Sequence, residues 1–501
     1  MKKPKLGEAR EFEFGIPLNM DTEKLQNDAK DGKLSVEQLI QIIVAQQQEI
    51  LEQQQRIDEL ERQLGLKQKA QEQYSLQANA RREKAKQKRR KKQKSDRRGR
   101  RTTKFKLVDA LREENIFPEG LSKDDCEFHR TQLVWHIEAG QAVLVSYRLY
   151  RGPNGELPVI PGSIGRCEYG IEIVVAVAYL TYVIGLSIDK VCEQLQFFWK
   201  LKLPKSQADA LLNRLGREWE PVFDDLCELL ANSAVIHADE TSWSINSLWA
   251  FISEQVRLLI YGVHKDADTL AKIVDRETFS GTMVSDNAAV YQNFSSAQKC
   301  WAHLIRKAIK LTLHRPDNEE YRLFLEQLLN IYRKACGYQK DRRLSPVGRA
   351  KKVDALSAEL NDITATRILD DAAPTDDVEA DYKRLVNELS LLDSKNELFT
   401  FVVNREVPGT NNISERELRS STTSRKTNRT SKTLSGARRR TSITSVLESL
   451  RACLSEFTLA SIIDEIKKWL TSGTTLFRDL LNAHNLPPPT SRKLDALFSS
   501  A

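Results

Sequence analysis

The sequence predicts a mixed α/β protein in which a sheet-forming core is interrupted by a helical insertion and preceded by a coiled coil and a helical region. Three observations carry that prediction. Between Ser233 and Tyr291 short β-prone runs alternate with turns and one helix; from about Leu304 to Leu398 the chain is helical and charged, without turn-rich β signals; and from Val36 apolar residues recur at alternating three- and four-residue steps.

The chain has 501 residues, 40% hydrophobic and 29% charged, which is enough for substantial cores and too long for one domain. Seven cysteines are scattered without a Cys-x-x-Cys pair, which argues against a disulfide framework or a cysteine-rich zinc ribbon and for a reducing, cytoplasmic setting. The N-terminus "MKKPKLGEAREFEFG" lacks the apolar core of a signal peptide. The longest apolar stretch, Ile173 to Leu186, is shorter than the roughly 18 to 20 residues that span a bilayer and reads as a buried helix. No G-x-x-x-x-G-K-[ST] loop occurs, so ATP-driven chemistry is not expected.

After an N-terminal tail (1–33), residues 34–66 read as a zipper. Val36, Leu39, Ile43, Gln46, Ile50, Gln53, Ile57, Leu60 and Leu64 form an a/d seam whose two glutamines penalise wrong registers. A lone amphipathic helix packed on its own protein is the competing reading. Residues 67–106 form a basic arm, and 81–106 alone hold sixteen Lys or Arg against Glu83 and Asp96, a local balance of +14 in a chain whose total is +8. Arg89, Arg90, Lys91, Lys92, Arg97 and Arg98 are candidates for contacts to DNA phosphates, with a solvated charge run as the alternative. Residues 107–160 contain the β-rich "TQLVWHIEAGQAVLVSYRLYR", read as a small hairpin before the turn "GPNG". Residues 161–230 are helical; "LSIDKVCEQLQ" and "PKSQADALLNRLGREW", with Ser187 and Ser206 as N-caps, resemble a helix-turn-helix, as paired helices in all-α regions also do.

From residue 231 to 303 the order strand, strand, strand, helix, strand matches the way an RNase H-like core is laid down. Asp239 then falls at the end of the first strand and Asp286 at the end of the fourth, and these strands are neighbours in such a sheet. Residues 304–398 form the insertion. Residues 399–470 return to the core with an extended run, a turn, a helix start and a basic stretch, and 471–501 are an irregular C-terminal tail.

Glu415 is a third acidic candidate, although "NISE" also places Asn412 and Glu415 at the spacing of a capping box. Three carboxylates at one sheet edge form a site for two divalent cations. Mg²⁺, with Mn²⁺ as a substitute, suits such all-oxygen ligands. Arg416, Arg419, Arg425 and Lys426, followed by Arg429 and Lys432, supply cations suited to a DNA backbone on the same face.

Four blocks in order, "HADETSWSI" with "SLWAF", "GTMVSDNAAVY", "KCWAHLIRK" and "TNNISERELR" followed by "SRKTNRTSKTLSGA", resemble the DDE transposases of the insertion-sequence-66 family over roughly residues 165–465. The resemblance implies that Asp239, Asp286 and Glu415 are the acidic triad and metal ligands. Glu240 is then a neighbour on the opposite strand face, and Trp243 and Trp249 pack the core or, in the minority reading, stack on a flipped base. Cys300 and His303 of "CWAH" match a family block; two ligands are too few for zinc, so a supporting structural role is expected, with His303 contacting DNA as the alternative. Two departures stand out. The cysteine-rich zinc module that many relatives carry after the zipper is replaced by the basic arm and hairpin, and Thr410 stands where many relatives have aspartate.

Two functions follow as expectations. The first is a dimeric or higher-order transposase that binds the double-stranded inverted-repeat ends of its element and target DNA, cleaves and joins strands, and works with accessory proteins of the same element. The second is a non-catalytic dimeric DNA-binding protein with an inactive RNase H-like scaffold.

Overall fold

The computed structural model describes residues 107–368, 374 and 376–499. The zipper (34–66) and the basic arm (67–106) lie outside the described residues. All seven cysteines are free, and among the described residues no helix is long and apolar enough to cross a membrane.

The first β-rich region is a three-stranded sheet. Strands β2 (Glu127–Glu138) and β3 (Gln141–Arg151) form the expected hairpin, with β1 (Arg112–Ile116) added in parallel to β3. The hairpin turn is Ala139–Gly140, both at positive φ, and "GPNG" follows the second strand.

Four helices come next: α1 (Ile171–Ala178), running on through a π-helical turn at Tyr179–Val183, α2 (Ile188–Trp199), α3 (Lys205–Glu218) and α4 (Glu220–Ala231). Ser187 caps α2 by accepting the Lys190 N–H. Ser206 caps nothing, because α3 already starts at Lys205 behind Pro204, whose fixed φ suits a helix entry. Its neighbour Asp209 instead pairs with Arg439 at 2.8 Å.

The central sheet is five-stranded, mixed and ordered β6-β5-β4-β7-β8. Its strands are β4 (Val235–Ser242), β5 (Ser247–Ile252), β6 (Arg257–Val263), β7 (Thr282–Ser285) and β8 (Ala297–Lys299), with α5 (Ala267–Ile273) crossing between β6 and β7. The first three are antiparallel, whereas β4 with β7 and β7 with β8 are parallel. Every residue of β5 is buried, as its continuous apolar run "SLWAFI" requires of a strand covered on both faces. The fifth strand escaped the sequence reading because three residues with glutamine and lysine carry no β signal.

Edge strand β6 is covered by helix α12 (Leu434–Cys453) through a ladder of hydroxyls. Thr441, Ser445 and Ser449 accept the N–H groups of Tyr261, Leu259 and Arg257 at 3.0, 3.0 and 2.9 Å. Two strand residues advance about 6.6 Å and four helix residues about 6.0 Å, so hydroxyls every fourth residue meet donors every second one. The polar "TSITSVLES" is therefore buried because it satisfies a sheet edge.

The insertion has its own apolar core. Helices α6 (Trp301–His314), α7 (Glu319–Lys340), α8 (Pro346–Ile368) and α9 (Asp377–Ser394) enclose Phe324, Leu328, Leu360 and Leu389. The extended run expected from Phe401 onward opens instead as a short helix, α10 (Thr400–Val403), in which packing of Phe401 and Val402 overrides the β preference of "FVV". The chain continues through α11 (Asn412–Lys426), α12 and α13 (Leu459–Ser472). "NLPPPTSRK" is irregular as expected, yet it joins α14 (Leu476–Ala483) to α15 (Lys493–Phe498), whose Phe477, Leu481, Leu494 and Leu497 belong to the principal core.

Candidate active site

Strand β4 is the hub. On its parallel side, pairing to β7 ends at His237, while antiparallel pairing to β5 continues through Ser242. Asp239 thus lies inside the strand, not at its end as expected, but just past the point where its parallel neighbour stops. Asp286 immediately follows β7 on that side. Antiparallel pairing extended the strand beyond what its own sequence suggests.

Glu415 comes from the first turn of α11. The capping-box alternative is not realised: the N-cap is Asn411, without a side-chain cap, and the Glu415 carboxylate accepts Arg306 Nη2 at 2.8 Å with His303 Nε2 at 3.5 Å. Asp239 Oδ1 accepts the Glu240 N–H at 2.9 Å and Asp286 Oδ1 the Ala288 N–H at 3.0 Å. Neither aspartate forms an ion pair with a Lys or Arg among the described residues. Burial, reinforced by the charges of Glu240, Asp286 and Glu415, pushes the Asp239 carboxyl up to about 7. Carboxylates from three separated segments therefore share one electrostatic neighbourhood.

Glu240 faces the other way, in register with Trp249. Its carboxylate accepts the Tyr291 hydroxyl and pairs with Lys265, and the Tyr291 ring stands edge-on to Trp249. Trp249 and Trp243 are both buried, Trp243 beside Tyr261 and under the Arg440 guanidinium.

Asn411 is the residue the sequence reading missed. Fully buried, it donates its side-chain amide to the Ala238 carbonyl at 2.7 Å, and its Oδ1 lies 3.1 Å from His237 Nδ1. With Oδ1 as acceptor, His237 must carry its proton on Nδ1. Burial holds that imidazole down to about 4, so it is neutral. The Asn411 backbone N–H meets Cys300 Sγ at 3.1 Å, so one residue ties the strand bearing Asp239 to both α6 and α11. Paired asparagines before a helix look like ordinary capping, which hid this role.

Cys300 also donates its backbone N–H to Ser285, and Trp301 donates its own to Gly409. The "CWAH" block is thereby a clamp around the residues that precede Glu415. Lys299, also unforeseen, is buried behind Asp286, donating to the Tyr291 carbonyl at 3.0 Å and to Ser285 Oγ at 3.3 Å. A cavity of about 230 Å³ lies beside Asp286, walled by His303, Lys307 and Glu388; the insertion's Glu388 accepts Lys307 and Asn287 there.

The basic candidates divide. Arg416, Arg419 and Lys426 are exposed and make no ion pair or side-chain hydrogen bond among the described residues. Glu415, Arg419 and Lys426 recur on one face of α11 by helical spacing. Arg425 instead donates to the Ser242 carbonyl at 2.7 Å and Arg429 to that of Gly185 at 2.7 Å. In the following stretch Arg438 pairs with Glu220 and Asp495. Arg89, Arg90, Lys91, Lys92, Arg97 and Arg98 lie outside the described residues.

Acidic side chains from three segments that share one electrostatic neighbourhood, with exposed arginines on α11, define a candidate phosphoryl-transfer centre. The family model described as Transposase IS66 family matches residues 166–439, more than half of the chain and all three carboxylates, and the chain belongs to that family. No curated protein matched the chain.

Proposed function

We propose that this transposase-family chain is a DDE enzyme with an RNase H-like catalytic core that cleaves DNA at the inverted-repeat ends of its element and joins the freed 3′-hydroxyls to target DNA. The observation that carries the reading is that Asp239 on the central strand β4 lies within the electrostatic reach of both Asp286, just past the neighbouring β7, and Glu415, with no Lys or Arg paired to either aspartate among the described residues. The strand order β6-β5-β4-β7-β8, antiparallel then parallel, supports the RNase H-like assignment.

The donor set fits Mg²⁺ or Mn²⁺: hard oxygen ligands, mutual repulsion in need of positive charge, and open space beside Asp286. Two such ions, held by Asp239, Asp286 and Glu415, would supply Lewis-acid activation of water or a 3′-hydroxyl and stabilisation of the leaving oxygen. The protein's own part is positional. Asn411 fixes the distance between the segments bearing Asp239 and Glu415, Arg306 balances Glu415 until a cation takes its place, and Arg416, Arg419 and Lys426 hold the DNA backbone along α11.

Residues 34–66 pair two copies, residues 67–106 add sequence-independent affinity for double-stranded DNA, and accessory proteins of the element assist in the cytoplasm. The test is Mg²⁺-dependent cleavage and strand transfer on DNA carrying the flanking repeats, comparing wild type with Asp286→Asn. Cleavage by wild type and binding without cleavage by the variant support the reading. Equal binding and no cleavage by either, with the element's other proteins supplied, reduce the protein to a DNA-binding module.

A further inference from the structure

Cys300 and His303 stand one helical turn apart at the start of α6, and Glu415 faces them from the first turn of α11. One ligand atom from each lies within 4.8 Å of the other two. His303 Nε2 and Glu415 Oε1 are 3.5 Å apart, close to the separation of two tetrahedral zinc ligands that each sit roughly 2.0–2.2 Å from the ion.

The surroundings of each ligand suit a soft cation. The Asn411 backbone N–H points at Cys300 Sγ at 3.1 Å, and such a donor stabilises a metal-bound thiolate. His303 turns its Nε2 toward Glu415, the nitrogen that would ligate an ion between them. Its Nδ1 is buried without a hydrogen-bond partner among the described residues. The nearby cations are Arg306, 2.8 Å from Glu415, and Lys307, which is engaged by Glu388. Arg306 is the group an incoming ion displaces.

We infer that Cys300, His303 and Glu415 form a site for a borderline-soft divalent cation of the zinc class, which borrows Glu415 from the acidic cluster. Binding forms sulfur, nitrogen and oxygen bonds to the ion and releases the Cys300 proton to solvent. Three protein ligands leave a fourth position for water. Mg²⁺ is excluded from this pocket by its demand for octahedral oxygen. Zinc held here withdraws Glu415 from the catalytic set and inhibits Mg²⁺-dependent cleavage. That consequence rests on the proposed function; the binding does not.

The experiment titrates the full-length chain with Co²⁺, a spectroscopic substitute for zinc, and follows the sulfur-to-cobalt charge-transfer band. The expected result is a band that saturates at one ion per chain, disappears on adding zinc, is lost in Cys300→Ser and persists in Asp286→Asn. Affinity in His303→Ala falls by more than about 100-fold, since losses outside the ligand shell already cost about 10–100-fold. Circular dichroism confirms that each variant is folded. A band unchanged in Cys300→Ser, or no band in folded wild type, overturns the site. In the cleavage assay, Cys300→Ser scored against its own zinc-free rate needs more than about tenfold more zinc for half-inhibition. Equal zinc sensitivity overturns the sharing of Glu415. A failed transposase reading removes the cleavage assay but leaves the cobalt band intact.

Discussion

Asn411 donates its side-chain amide to the backbone carbonyl of Ala238 at 2.7 Å, and this bond sets the helix that bears Glu415 against the strand that bears Asp239. It is buried, and the same side chain meets His237. Replacing Asn411 with alanine leaves the Ala238 carbonyl and His237 Nδ1 without partners, at a cost of about 1–3 kcal/mol in denaturant unfolding. The larger effect is expected in catalysis: displacing one carboxylate by about 1 Å can cost on the order of 100-fold. Single-turnover cleavage by folded Asn411→Ala checks this, and a wild-type rate would remove Asn411 from its positioning role.

The hydroxyl ladder on β6 makes a contrasting prediction. Ser445→Ala strips the Leu259 N–H of its acceptor inside the protein and should lower stability by about 1–3 kcal/mol. The carboxylate cluster is not involved, so the cleavage rate at a temperature well below the melting transition should not change. Thermal unfolding and cleavage, measured on the same preparation, separate this outcome from that of Asn411→Ala.

Asp224 supplies the pH dependence. Burial, aided by the charges of Asp225 and Glu220 against the Lys493 N–H, raises its carboxyl to about 6, against about 3.9 in an unfolded chain. The folded state therefore holds this proton more tightly. Its contribution to stability is complete below about pH 4, falls as pH rises through about 6 and is lost above that. Asp224→Asn should be more stable than wild type at pH 8, by on the order of 1–3 kcal/mol, and nearly equal to it at pH 4. A melting-temperature difference that does not vary with pH would contradict the assignment.

The arginines of the basic stretch should behave in two ways. Arg419→Ala and Lys426→Ala remove exposed charges; each should weaken DNA binding and reduce the slope of log affinity against log salt by about 0.9 for every phosphate it leaves without a cation, with little change in melting temperature. Arg440→Ala should do the reverse, because its guanidinium lies 5.0 Å from the Tyr261 ring centroid and 5.1 Å from that of Trp243 and donates to the Arg429 carbonyl at 3.0 Å. It should melt earlier without altering the salt slope.

These cases show which features a sequence displays. The antiparallel strands were legible because "SAVIHADE", "SLWAFISE" and "RLLIYGVHK" carry β-branched and aromatic residues between turns, and the insertion was legible because its helices repeat their apolar faces. Strand β8 was not, since "AQK" is extended only through its neighbour β7. Helix α10 was misread because tertiary burial outweighs the β preference of valine. In the site, charged residues announce themselves: Asp239, Asp286 and Glu415 could be named from four short blocks. Asn411, Lys299 and the serines of α12 act through hydrogen bonds to backbone groups distant in sequence, and a sequence does not show which carbonyl or N–H will be left in need of a partner. Nor does a sequence show that Arg425 and Arg429, expected as cations for the DNA backbone, each also donate to a carbonyl of their own chain.

The central claim is that Asp239, Asp286 and Glu415 act as one metal-dependent unit. The direct measurement is single-turnover cleavage of repeat-end DNA in Mg²⁺ by Asp239→Asn, Asp286→Asn, Glu415→Gln and the three double variants, each shown to be folded and to bind DNA. Residues acting as a unit lose activity non-additively, so each single variant should be as inactive as any double. A single variant that cleaves at the wild-type rate, or losses that multiply as independent contributions do, would contradict the account.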